Sequence, residues 1–311
     1  MTSLYLATDL STSLSPSLET VFCPICGPTA GATLRYTFDP FRVVVCNHCG
    51  LTYLSPRLTE QAILKLYMDQ DYYVSKVAGQ GYDEYLEVRP NWVKTFTRRL
   101  NQIAKYQQPG KALDIGCGPG FFLEAAQAKG YDVYGLDPSA YIVNVAREKF
   151  GERIQQGVIA STEYPADSFD LVSAFDTFEH IYHPLEWLAH VRRILRSPDP
   201  ALGKPGGLLV MTTPDPSSLL AKISRRGWVS FKMPEHVFYW SPATIRRALA
   251  NDWDVLEINR AGQYATLGFL IRRLFRITSN STGPVKSLFH LLNKISVYSD
   301  NGSMTVIARK K

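Results

Sequence analysis

Two groups of residues in this 311-residue chain have the types and spacing to do chemistry. The first is ALDIGCGPG, Ala112 to Gly120, followed by YDVYGLDP, Tyr131 to Pro138. A short apolar run holding one acid, Asp114, leads to Gly116, Gly118 and Gly120 and then to a Phe- and Ala-rich stretch, which predicts strand, tight turn and helix. Glycines let the backbone turn sharply and come close to a ligand, and a helix N-terminus offers free N–H groups. Asp137 closes the second apolar run, twenty-one residues after Gly116, where a carboxylate can accept from both hydroxyls of a ribose. The second group is Cys23-Pro-Ile-Cys26 and Cys46-Asn-His-Cys49, with nineteen residues between the pairs. Two C-x2-C pairs at this separation are the spacing of a tetrahedral zinc site, and four thiolates leave no position open, so the expected role is structural. His48 is left outside the shell, and Cys117 is read as a small packing residue. Two disulfides are the alternative pairing, disfavoured in a reducing compartment.

The glycine spacing also bears on which nucleotide is held. A dinucleotide fingerprint needs G-x-G-x-x-G, but Phe121 stands at its third glycine. An acid two residues before the first glycine is a poor neighbour for a pyrophosphate and a good one for an ammonium group. S-adenosylmethionine carries that ammonium and no phosphate. On these residues the chain resembles the class I S-adenosylmethionine-dependent methyltransferases, and the four-cysteine segment extends the resemblance to members with an N-terminal zinc ribbon.

The resemblance covers roughly residues 111 to 311. It implies an α/β, Rossmann-like seven-stranded sheet of order 3-2-1-4-5-7-6 with strand 7 antiparallel. It assigns Asp114, Gly116, Gly118 and Gly120 to the first cofactor motif, Asp137 to the ribose, and Val158 and Ile159 to the segment that brackets adenine, with Asp176 completing the cofactor-facing set. TFEHIYHP, Thr177 to Pro184, and PEHVFYWSP, Pro234 to Pro242, match stretches beside the methyl acceptor.

Around these sites the chain divides into a disordered tail at 1–20, the ribbon at 21–55, a helical connector or cap at 56–110, and the cofactor domain at 111–311. Thr33 to Phe38 and Phe41 to Val45 read as ribbon strands. Tyr67, Tyr72, Tyr73, Tyr82 and Tyr85 of the connector are expected to cap the cleft or pack its helices. Alternating strand and helix signals from Lys111 predict a parallel sheet with helices on both faces. Predicted elements include a helix from Ser139 to Phe150 stopped by Gly151, strands at 153–156, 169–176 and 206–213, a helix capped by Ser241-Pro242, and strands at 253–260 and 304–309. A net charge of +6 with 34 basic and 28 acidic residues is too mild to establish a nucleic-acid partner. No targeting segment and no run of about 18 apolar residues is seen, so a cytoplasmic protein is expected. A stretch free of acids from Ile258 to Ser299 predicts a basic helical insertion at 263–297, suited to an anionic membrane, a second subunit or the sheet itself.

The acceptor is read by elimination. Amino methylation of nucleobases commonly uses an Asn/Asp-Pro-Pro-Tyr/Phe segment, and here Asp176-Thr-Phe-Glu179-His180 stands in its place. Cytosine C5 chemistry needs a cysteine near strands 4 to 6, and none follows Cys117. A hydroxyl or acidic carbon of a small molecule, such as a sugar, glycan precursor or lipid-like product, remains the expected acceptor, with rRNA or tRNA gripped by the ribbon as the alternative. A hydroxyl needs a base, and histidine titrates nearest neutrality. Of the six histidines, His180 is expected to act as base and His236 to orient the acceptor.

Overall fold

The computed structural model describes residues 17–68, 88–275 and 291–311. In chain order the strands are β1 (Leu18–Glu19), β2 (Ala32–Phe38), β3 (Phe41–Cys46), β4 (Thr52–Leu54), β5 (Arg57–Leu58), β6 (Lys111–Ile115), β7 (Asp132–Asp137), β8 (Ile154–Gln156), β9 (Leu171–Phe175), β10 (Leu208–Pro214), β11 (Phe238–Tyr239), β12 (Trp253–Thr266) and β13 (Ser296–Lys310). The α-helices are α1 (Glu60–Met68), α2 (Arg89–Ile103), α3 (Phe121–Gln127), α4 (Ala140–Phe150), α5 (Pro184–Ile194), α6 (Leu219–Ser224), α7 (Pro242–Leu249) and α8 (Leu267–Phe275).

Seven strands form one mixed sheet in the order β12-β13-β10-β9-β6-β7-β8. Counted within the sheet this is 3-2-1-4-5-7-6 read from the other edge, and β13 runs antiparallel to both neighbours. The central strands β6, β9 and β10 are mostly apolar and almost wholly buried, as parallel strands covered on two sides must be. Local signals set the helix ends. Ser139 caps α4 through its hydroxyl, Gly151 ends it at positive φ, and Ser241 and Thr244 form a capping box around α7 with Pro242 at the first position.

The predicted tail is shorter than expected, because β1 pairs with β5 and the buried Arg57 takes Glu19 as its anion at 2.8 Å. Residues 1–16 lie outside the described residues. The sheet's last two strands exceed their sequence signals: β12 and β13 continue as a hairpin to Thr266↔Ser296. This corrects the start and end of the predicted helical insertion. Gln263–Thr266 and Ser296–Val297 are strand, held by the Tyr264–Tyr298 ring contact and by Thr95 of α2, whose hydroxyl accepts from the Tyr264 N–H. Helix α8 fulfils the first part of the expectation, and residues 276–290 lie outside the described residues. So do Tyr72, Tyr73, Tyr82, Tyr85 and the side chain of Tyr67.

The ribbon is not a free-standing module. Its strands β2, β3 and β4 are joined by β11, a late segment of the chain, into a sheet of order β11-β4-β3-β2. Its buried residues Phe41, Val44, Leu51 and Tyr53 share one apolar cluster with Phe178, Phe238 and Trp240. A small domain that cannot bury enough surface alone gains a core this way.

Candidate functional site

Where β6 ends, the chain turns through Gly116 to Gly120 into α3, and a cleft of about 310 Å³ opens there. Asp114, Gly116, Cys117, Gly118, Phe121, Phe175, Asp176 and Lys232 are among its walls. It sits outside the C-terminal ends of the parallel strands, where open α/β sheets bind ligands. Gly118, at φ 53, has open space where a Cβ would stand, so a ligand can lie against its backbone. Gly120 differs: a Cβ there would meet the Phe150 ring at 2.5 Å, so this glycine serves helix packing.

Asp114 is buried and accepts from the Ser173 hydroxyl at 2.7 Å. Burial, and secondarily the nearby Asp137, push its carboxyl up to about 7. Such a carboxylate is poised for a cation. Behind the cleft, Arg99 of α2 is buried over the Phe96 and Phe175 rings, and its Nη1 has no hydrogen-bond partner among the described residues. One buried anion and one buried cation together suit the zwitterion of an amino acid, so the donor set fits the methionine end of S-adenosylmethionine. Arg99 is legible only in part: it is a cation three residues after Phe96 on a helix whose buried face also holds Leu100 and Ile103.

Asp137 lies next along the edge. Its two oxygens accept from the Gly118 and Ser139 N–H groups, each at 3.0 Å, which fixes the carboxylate in place. Burial raises it to about 6 despite those bonds. The Gly157 N–H donates to the Asp137 carbonyl, bringing the Val158-Ile159 turn beside it. Ile159 is buried and Val158 exposed. Asp176, at φ 51, accepts from the Thr212 hydroxyl at 3.0 Å and forms the opposite wall.

Beyond Asp176 the chain makes a short 3-10 turn, Phe178–His180, and this turn meets the segment before β11. The Val237 N–H donates to the Glu179 carbonyl at 2.9 Å, and the Leu54 N–H donates to the Val237 carbonyl at 3.0 Å. His180 and His236 are thereby brought edge to face with ring centroids 4.7 Å apart. Ligating atoms of Glu179, His180 and His236 all lie within 4.8 Å of one another. The His180 Nδ1 faces the Glu235 carbonyl at 3.1 Å, so it carries the proton and Nε2 carries the lone pair. Glu179 Oε2 and His236 Nδ1 are buried without hydrogen-bond partners among the described residues.

Burial, with Lys232 nearby, lowers His180 to about 4, and burial, with His180 and Lys232, lowers His236. Burial, with Asp176 nearby, raises Glu179 to about 8. The two histidines expected at the acceptor are thus brought together, and Glu179 and Lys232 join them. Glu179 was readable as an acid among apolar residues beside His180, whereas Lys232 is placed by a turn whose His236 N–H donates to the Lys232 carbonyl. His183 is exposed 3.5 Å from Glu60 and stands apart.

In the ribbon the four cysteine sulfurs also lie within 4.8 Å of one another, with Cys23 and Cys49 Sγ 3.5 Å apart. The Leu51 N–H points at Cys49 Sγ at 3.5 Å, and all four cysteines are free thiols. Burial first, and then the neighbouring Cys49 and Cys46 sulfurs, push Cys26 up to about 11. Four thiols so close fit one tetrahedral cation, whose charge offsets this repulsion.

A family model described as a methyltransferase domain matches residues 82–256. A malonyl-[acyl-carrier protein] O-methyltransferase of Paenibacillus is 28% identical over 159 residues, covering 47% of this chain and 54% of the relative. A ubiquinone biosynthesis O-methyltransferase of Cereibacter sphaeroides is 32% identical over 138 residues, covering 42% and 53%. The chain thus spans about half the length of these curated relatives. Among solved structures, a putative methyltransferase from a complex with the Haloferax volcanii Trm112 methyltransferase activator aligns over 73% of this chain and 92% of its own, at 20% identity and a TM-score of 0.51. That likeness is one of fold.

Proposed function

The chain belongs to the methyltransferase-domain family, and from that premise we propose that it transfers the methyl group of S-adenosylmethionine to an oxygen of a small molecule. The observation that carries this reading is the placement of the Glu179, His180 and His236 cluster beside a cleft walled by Asp114, Gly118 and Asp176. Both sequence relatives are named O-methyltransferases, which favours oxygen over carbon.

Bound S-adenosylmethionine would supply a methyl group on a sulfonium. Asp114 and Arg99 would hold its ammonium and carboxylate, and Asp137 its ribose. The remaining work is alignment and removal of one proton. His180 Nε2 carries the lone pair that takes the acceptor's proton, with Glu179 and His236 beside it and Lys232 the nearby charged group. His236 Nδ1 and Glu179 Oε2 supply the hydrogen bonds that orient the acceptor. The environments of His180 and Glu179 push the two groups apart, so that near neutrality His180 is an unprotonated base and Glu179 a protonated acid.

The four-cysteine cluster is proposed to bind one zinc ion with a structural role, since all four positions of the shell are filled by sulfur. The test of the main reading has two parts. Calorimetry should show S-adenosylmethionine binding that Asp137→Ala weakens. Small-molecule extracts incubated with enzyme and cofactor should yield a product heavier by one methylene. Absence of cofactor binding overturns the reading.

A further inference from the structure

Helix α6 and the turn after it display apolar side chains that nothing among the described residues covers. Leu219 is 66% exposed, Ile223 71% and Val229 47%. The segment is not loose: Ala221 and Trp228 are buried in a cluster with Val43, Leu54 and Tyr239, and Trp228 meets the Phe231 ring edge-on at 5.2 Å. A rigidly anchored strip that still turns its largest apolar groups to water marks a contact surface.

Its charge selects the partner. From Pro216 to Pro234 there is no acid, and Lys222 and Arg225 are exposed beside the apolar groups. Asp215 precedes the strip and is engaged by the Ser217 N–H and hydroxyl. Arg226 is held elsewhere, donating to the Thr37 carbonyl over the Phe38 ring. The nearest acids, Asp215 and Asp300, lie at one end of the strip and accept from the Ser217 and Gly302 N–H groups, so apolar groups flanked by exposed cations match the interface of an anionic lipid layer. The strip also leaves β10 at the edge of the sheet where the cleft lies, and runs directly into Lys232, a cleft wall.

We propose that Leu219 to Val229 docks the protein on an anionic lipid surface, presenting the cleft to acceptors held there. Docking itself requires neither cofactor nor acceptor, so it stands or fails separately from the methyl-transfer reading.

The test is co-sedimentation of the full chain with vesicles of phosphatidylcholine containing phosphatidylglycerol, against vesicles of phosphatidylcholine alone. Binding is expected only to the anionic vesicles and is expected to fall with added salt. Lys222→Gln and Arg225→Gln should each weaken partitioning about fivefold, the usual effect of one basic residue near such a surface. Leu219→Glu with Ile223→Glu should abolish it. Both positions are exposed, so S-adenosylmethionine affinity by calorimetry should stay at the wild-type value and report an intact fold. Equal binding to both vesicle types, no binding to either, or a soluble dimer that Leu219→Glu with Ile223→Glu dissociates would each overturn the proposal.

Discussion

The cofactor edge and the acceptor wall of the cleft are built in opposite ways. On the cofactor edge the chain largely completes its own hydrogen bonds: Asp137 is held by two backbone N–H groups and Asp114 by Ser173, with Arg99 Nη1 the buried exception. On the acceptor wall, Glu179 Oε2 and His236 Nδ1 are buried and unpartnered among the described residues. Such atoms cost stability until something pairs with them. The edge is therefore set for one ligand of fixed shape, and the wall awaits a partner that the described residues do not supply. Their supports differ as well, since the edge hangs on the seven-stranded sheet alone, whereas the wall continues from β9 and is also tied to the ribbon through β11.

Substitutions can break this division. His180→Ala is expected to lower kcat by about 10² to 10⁴, the usual effect of losing a general base, while cofactor affinity by calorimetry stays near wild type. Turnover within threefold of wild type would move the base to His236. Cys46→Ser should come next. With the proposed zinc shell broken, the ribbon should loosen β11 and lower turnover roughly a hundredfold or more, since structural zinc contributes directly to folding. Elemental analysis should show zinc lost, and cofactor affinity should change far less than turnover. An equal loss of both would show that the ribbon supports the whole cleft.

Asp137→Ala tests the other side. It should weaken S-adenosylmethionine binding by roughly 1.5 to 3 kcal/mol, or about ten- to a hundredfold in Kd, with little further loss at saturating cofactor. The smallest expected effect is of pH. Asp114 titrates at about 7 in the folded chain, protonated and neutral below that point and anionic above it. A cationic ligand prefers the anion, so affinity should fall by up to about tenfold for each pH unit below 7. Asp137, at about 6, steepens the loss at lower pH, and Asp114→Asn should flatten the profile between 6 and 8.

The cofactor edge was largely legible in the sequence because its residues are local. Asp114, the glycines and Asp137 fall within one strand, turn, helix and strand, and the ribbon cysteines pair over a short loop. The acceptor wall was half legible. Histidines at 180 and 236 announced themselves by residue type, but their meeting depends on a contact across 56 positions, which no periodicity encodes. The partnership of β11 with the ribbon was illegible for the same reason, since Phe238-Tyr239 reads as two aromatic residues in a loop. The long β12–β13 hairpin was missed because its outer half is stabilised by cross-strand pairs and by α2 rather than by alternating apolar residues.

The pairing of β11 with β4 also sets an order of events at the ribosome. Thr52–Leu54 is fully buried in the finished protein, yet its partner strand begins at Phe238. At ordinary synthesis rates of about 5 to 20 residues per second, roughly 10 to 40 s separate the two. Throughout that interval the nascent ribbon carries an open, apolar strand edge, the kind of template that pairs with the wrong chain. Early capture of zinc by Cys23, Cys26, Cys46 and Cys49, all made before β4, would hold the first strands in register until the last one arrives.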